Sequence, residues 1–128
     1  MNDQLLLGWV IAASIGLQLW VMFAVGNARR KTGVKAPATT GHVDFERAFR
    51  TQMNTVEQAL MFYPALWLCS SYFSIRWAWT LGALWVLGRV VYALGYLAAA
   101  DKRGVGFMVG FLAQSLLLAL GVWGLLTR

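Results

Sequence analysis

Residues 4–28 read QLLLGWVIAASIGLQLWVMFAVGNA, a run from Gln4 to Ala28 with no ionisable side chain. A helix needs about 20 apolar residues to cross a hydrocarbon core of roughly 30 Å, so this run is to be read against a bilayer and not against water. No basic residue precedes it, and no small-residue cleavage site follows a short apolar core. It is therefore expected to be retained as a first span and not removed as a signal peptide. Working outward, Val43 to Phe73 begins polar and turns apolar, Trp77 to Ala100 is apolar apart from Arg89, and Gly104 to Thr127 again carries no charge. The pattern predicts four helices, at residues 5–27, 44–73, 77–99 and 105–126. The expected fold is all-α: one polytopic membrane domain over residues 1–128, a bundle of four transmembrane helices.

Composition agrees. Hydrophobic residues make up 59% of the 128 and charged residues 12%, against roughly 45–50% and about 25% in soluble domains. The mean hydropathy is +0.60. These values exclude an ordinary water-soluble domain and, equally, intrinsic disorder. The net charge of +6 rests on few side chains set among long apolar runs, which argues against a nucleic-acid binder. Cys69 is the single cysteine and His42 the single histidine, so neither an internal disulfide nor a Cys/His zinc site can be assembled within one chain, and no metal is expected. No phosphate-binding GxxxxGK[ST] or GxGxxG loop is present. Ser14, Ser70, Ser71 and Ser115 have no His or acidic partner at suggestive spacing and are assigned no chemistry.

Helix 2, at about 30 residues, would be roughly 45 Å long, longer than the hydrocarbon core, so its first turns should project from the membrane. Asp44 is expected to cap it, with Glu46 in the first turn where the helix dipole favours an anion. Pro64 removes a backbone bond in its apolar half and predicts a kink. The first connection carries Arg29, Arg30, Lys31 and Lys35 ahead of turn residues Pro37, Thr39, Thr40 and Gly41; the third carries Lys102 and Arg103; the opposite side has only Arg76 and Arg128. By the positive-inside rule, loops 1 and 3 are expected in the cytoplasm and both termini outside. Trp9, Trp77, Trp79 and Trp123 fall near span ends and read as interface anchors.

Arg47, Arg50, Asn54 and Glu57 share a stripe of helix 2 about 80° wide, and Gln52 points to nearly the opposite side. Arg89, Tyr92 and Tyr96 share a face of helix 3, and Arg103 returns near that azimuth if the helix runs on through Asp101. An ionised residue near the centre of a span costs about 2.5–3.5 kcal/mol on insertion scales, so such groups face other helices or a polar cavity. Two readings follow: an ion-pair network holding helices together, or a site for a charged ligand entered from the cytoplasmic side. Two cationic stripes and one buried carboxylate, Glu57, suit a ligand with carboxylates and an ammonium group. Polar groups on two faces of helix 2 favour a site between subunits, hence a homo-oligomer. Gly106 and Gly110 form a GxxxG that permits close helix approach.

The stretch Phe45-Glu46-Arg47-Ala48-Phe49-Arg50-Thr51-Gln52-Met53-Asn54-Thr55-Val56-Glu57 resembles the ERxxRxQxNxxE signature of the MAPEG family, the membrane-associated proteins of eicosanoid and glutathione metabolism. Arg89-Val90-Val91-Tyr92-Ala93-Leu94-Gly95-Tyr96 is similar to that family's RxxYxxGY, and the Arg29-Arg30 pair and the Thr39-Thr40-Gly41 turn also fit. The resemblance covers essentially the whole chain. It implies a homotrimer of four-helix subunits with glutathione, the co-substrate, bound between neighbours. Arg50, Asn54, Glu57, Tyr92 and Tyr96 would hold glutathione, with Arg47 on the same stripe and Gln52 contributing from the adjacent subunit. Arg103 matches the arginine that stabilises the glutathione thiolate in the leukotriene-C synthase branch, and Arg30, near the site mouth, is the second catalytic candidate. Gln58 stands where that branch has a tyrosine, so a bacterial-type enzyme of the inner membrane with general lipophilic substrates fits better than an eicosanoid-specific one.

The function expected from the resemblance is conjugation of glutathione to hydrophobic electrophiles, alone or together with glutathione-dependent reduction of lipid hydroperoxides. The alternative is a lipid-binding protein of the same family that does no chemistry. A small four-helix drug exporter would need a membrane-embedded glutamate in its first helix, and helix 1 has no charge.

Overall fold

The computed structural model describes residues 1–128. It has four helices, α1 (Asp3–Thr32), α2 (Val43–Tyr72), α3 (Ile75–Ala98) and α4 (Gly104–Leu126), with a single 3-10 turn, Ala100–Arg103, between α3 and α4. The all-α reading and the order of helices hold, and the differences lie at the ends. α1 continues through Arg29, Arg30 and Lys31, which form its last turn, and stops at Gly33 in the left-handed region, φ 76, with the Gly33 N–H on the Arg29 carbonyl. Cations are favoured at the negative end of a helix dipole, so the loss of apolar character that ends a membrane span does not end the helix.

The cap of α2 is His42 and not Asp44. His42 Nδ1 accepts the Asp44 N–H at 3.1 Å, and Asp44, already inside the first turn, pairs with Arg47 at 3.6 Å. The imidazole takes one of the orphan N–H donors of the first turn, as a capping carboxylate does in other helices. α2 remains helical through Pro64 to Tyr72. α3 does not run on through Asp101: it ends at Ala98, Ala99 is extended at φ −164, and the 3-10 turn follows.

α1, α3 and the segment from Ala100 to Leu126 are long and apolar enough to cross a membrane. α2 does not meet that composition because its first half carries Asp44, Glu46, Arg47, Arg50 and Glu57, although the helix packs against all three others. The chain is therefore a multi-pass membrane protein with three spans legible by composition and a fourth, more polar helix held among them.

Each helix buries one narrow stripe. On α1 it is Leu7, Val10, Ser14, Leu17, Val21 and Val25, at intervals of three and four. On α4 it is Gly106, Gly110, Ala113, Gln114, Leu117, Gly121 and Gly124. Only 30 of 128 residues are buried, and large side chains such as Trp9, Phe23, Leu60 and Leu126 face outward. Helices that are apolar all round bury one face on protein and leave the rest to lipid. α4 packs on α2 and α3, while α1 packs on the other side of the same pair. At the centre the Phe62 and Trp85 rings stack with centroids 3.9 Å apart.

The small residues of α4 set the closest approaches. A Cβ on Gly106 would collide with the Tyr92 backbone, and one on Gly88 would come within 2.8 Å of the Gly110 nitrogen. The GxxxG thus joins α4 to α3 within one chain. It brings the first turn of α4 against the last turns of α3, where the polar residues collect.

Candidate functional site

The start of α2, the end of α3, the 3-10 turn and the start of α4 meet at one end of the bundle. They enclose a cleft of about 510 Å³ lined by Arg50, Asn54, Tyr92, Tyr96, Arg103, Gly104 and Phe107. The basic last turn of α1 and the segment that follows it lie at the same end, since Val25, Phe45 and Ala48 pack together there with Val34 and Leu97 around them.

Helical spacing explains the α2 contribution. Arg50 and Asn54 are one turn apart, and Glu57 follows one turn later on the same side. Arg50 pairs with Glu57 at 3.6 Å, both side chains half exposed. Glu57 is thus accessible in a single chain and not the buried carboxylate expected, because it lies beside the buried stripe of α2 and not on it.

Behind the cleft sits Arg89, 1% exposed. Its Nη2 donates to Asn54 Oδ1 at 2.8 Å and to Thr55 Oγ1 at 2.9 Å. Its guanidinium carbon lies 4.0 Å from the centre of the Tyr92 ring, within the range of a cation–π contact. Tyr92 and Tyr96 meet edge to face at 5.6 Å, and Arg103 stands over the Tyr96 ring at 5.4 Å. Arg103 is held from the other side by its Nη1 donating to the Ala100 carbonyl. It reaches the tyrosine face by the 3-10 turn and not by continuing α3. Phe107, 6.3 Å from Tyr92, adds an apolar wall from α4.

Five residues singled out in the sequence, Arg50, Asn54, Tyr92, Tyr96 and Arg103, line one cleft. Glu57 is tied to it through Arg50. Three do not line it. Arg47 donates to the Ala98 carbonyl at 3.3 Å and fastens the start of α2 to the end of α3. Arg30 is exposed on α1, where its Nη2 donates to Asn27 Oδ1 at 3.2 Å. Gln52 faces α1, in a separate cleft of about 410 Å³ with Gln18 and Tyr63. There Tyr63 Oη bonds Ser14 Oγ and accepts from Gln18 Nε2, each at 2.8 Å.

Sequence reasoning missed Gly104 and Phe107, which carry no polar signal. It also missed a buried relay in which Trp85 Nε1 donates to Gln114 Oε1 at 2.9 Å and Gln114 Nε2 donates to Gln58 Oε1 at 2.7 Å. Gln114, the one amide side chain in the uncharged α4, was the available signal.

Chemically the cleft is rich in donors and positive charge. Arg50 and Arg103 face it, Arg89 backs it, and Glu57 is the acid nearest Arg50. It suits a small anionic ligand at one end of the bundle.

Residues 7–123 match the family model described as the MAPEG family. An uncharacterized protein of Synechocystis is 49% identical over 84% of this chain and 79% of its own length. The human protein named microsomal glutathione S-transferase 2 is 39% identical, covering 97% of this chain and 84% of the relative. The guinea pig (Cavia porcellus) protein named leukotriene C4 synthase is 35% identical, over 100% of this chain and 86% of the relative. With Arg50 and Asn54 of α2 and Tyr92 and Tyr96 of α3 meeting in one cleft, a family match over residues 7–123 and relatives of this extent, the chain belongs to the MAPEG family.

Proposed function

We propose that this protein is a membrane-bound glutathione transferase, conjugating glutathione to hydrophobic electrophiles, alone or together with glutathione-dependent reduction of lipid hydroperoxides. The observation that carries the reading is the convergence of Arg50, Asn54, Tyr92, Tyr96 and Arg103 on one cleft beside lipid-facing helices. Relatives named microsomal glutathione S-transferase and leukotriene C4 synthase support it. Arg50 and Asn54 bind the carboxylates of glutathione, and Glu57 takes its ammonium group. Tyr92 and Tyr96 wall the peptide. Arg47 and Arg30 act from outside the cleft, Arg30 at its mouth.

Arg103 favours the thiolate. A free thiol has a pKa near 8.5 and is mostly protonated at neutral pH, and a guanidinium stays charged throughout that range. The thiol proton passes to water, the thiolate sulfur donates its electron pair to the electrophilic carbon, the S–C bond forms, and the leaving group departs with the bonding pair. The working form is a homotrimer in which Gln52 of each subunit reaches the neighbour's glutathione. The cleft faces the cytoplasm of a bacterial inner membrane, at the end carrying the basic loops.

The test is conjugation by the purified protein in detergent, with glutathione and a lipophilic aryl chloride. Product formation above the uncatalysed rate, saturable in both reactants, is expected. Lipid binding without product would overturn the transferase reading in favour of a non-catalytic member.

A further inference from the structure

Arg89 is buried inside α3, yet none of the ion pairs of the chain includes it. Its Nε is buried and has no hydrogen-bond partner. A cation in this position costs several kcal/mol unless charge or hydrogen bonding compensates it. What meets its charge is neutral, the Tyr92 ring face and two hydrogen-bond acceptors, and those two acceptors stand at the cleft, Asn54 in the wall and Thr55 directly behind it.

The chemistry of the guanidinium fixes the direction of every bond it makes. It has five N–H donors and no acceptor, so the Asn54 atom at 2.8 Å from Nη2 is the amide oxygen. Thr55 is directed in the same way. Its Oγ1 accepts from Arg89 and donates to the Thr51 carbonyl at 2.8 Å. With its oxygen turned to Arg89, Asn54 has its NH₂ group, two N–H donors, free to serve the cleft. The other polar side chains from α2 and the turn that line the cleft, Arg50 and Arg103, are also donors only.

We propose that Arg89 is a positioning residue that locks Asn54 as a donor, so that this wall of the cleft accepts a carboxylate oxygen of glutathione and rejects a neutral or cationic group there. Arg89 touches no ligand. It sets which end of the Asn54 amide the ligand meets, and its unpaired charge stands behind the bound carboxylate. This rests on the glutathione reading above and adds which atom of Asn54 does the recognising.

The decisive variant is Asn54→Asp. It preserves shape and gives Arg89 a better partner, so a merely structural role for the pair predicts equal or higher thermal stability and unchanged ligand binding. A donor lock predicts equal or higher stability together with weaker glutathione binding, by about tenfold or more, because an acceptor now meets a carboxylate. Calorimetry on the purified protein in detergent, with glutathione and its diethyl ester as probes, reads both. In the wild type the diester should bind more weakly than glutathione, and in Asn54→Asp that preference should shrink or reverse. Arg89→Lys, which keeps a donor and a charge, should retain more of the affinity than Arg89→Met, with KM for the electrophile unchanged in both. If Arg89→Met fails to fold, Asn54→Asp still decides. Wild-type affinity for glutathione in Asn54→Asp overturns the donor lock and leaves the transferase reading standing. No glutathione binding by the wild type overturns both.

Discussion

The Arg103 guanidinium is held between the Ala100 carbonyl and the Tyr96 ring, a fixed cation at the edge of the cleft. A positive charge near a thiol in a partly desolvated site lowers its pKa by one or more units. Arg103→Ala should therefore reduce turnover on the order of tenfold at pH 7, the loss of thiolate expected from one unit. Glutathione affinity should fall less, because the charge matters most where the sulfur is anionic. Steady-state kinetics beside calorimetry separates the two, and full turnover in Arg103→Ala would pass the role to Arg30. Arg50 belongs to binding. Its half-exposed guanidinium is shared with Glu57 at 3.6 Å, an arrangement open to a ligand carboxylate. Arg50→Ala should weaken glutathione by about 1.5–3 kcal/mol, the range for a charged hydrogen bond. Unchanged affinity with the oligomer intact would leave Arg50 only its ion pair with Glu57 along α2.

α4 meets α3 through glycine, and the cleft depends on that distance. Gly106→Val has no room against the Tyr92 backbone and should destabilise the bundle by about 1–3 kcal/mol, the usual penalty of overpacking. It should also lower glutathione affinity, since Tyr92 and Phe107 are carried on the two displaced helices. Thermal unfolding in detergent with and without glutathione measures both, and a Gly106→Val protein as stable and as tight-binding as wild type would contradict the packing described. α2 bears the clearest signal in the sequence. The stripe Arg50, Asn54, Glu57 was legible because helical periodicity places residues three and four apart on one face. Arg103 was legible as a position but not by its path, since an extended Ala99 and a 3-10 turn leave no periodic trace. The cap is His42 and not Asp44 because the helix starts at Val43 and the imidazole accepts the Asp44 N–H, a role that cap preferences, which rank Asp ahead, do not signal. The Trp85–Gln114–Gln58 relay links three helices across more than fifty positions, a pairing that no local pattern encodes. GxxxG announced a close approach without naming its partner, which proved to be α3 of the same chain.

For the molecule as a whole, polar groups on two sides of α2 remain to be reconciled. The cleft with Arg50 lies toward α3 and α4, while Gln52 lies toward α1 beside Gln18 and Tyr63. A second subunit docked on the α1–α2 side would cover these amides and complete its own cleft with Gln52. Light scattering corrected for detergent should give about three times 14.2 kDa, and a clean monomer that binds one glutathione per chain would refute the shared site. Mean hydropathy and the excess of outward apolar side chains explain why the protein needs a bilayer. Lipid-facing walls and the walls of an apolar binding site are built from the same residue types, so the proposed electrophile has no signature in the sequence. The central claim, a donor-rich cleft that binds glutathione as its thiolate, is tested most directly by ultraviolet difference absorbance of the purified wild-type protein with glutathione at pH 7. A thiolate band that saturates with glutathione at one per site is predicted; glutathione bound with no thiolate band, or no binding at all, would contradict it.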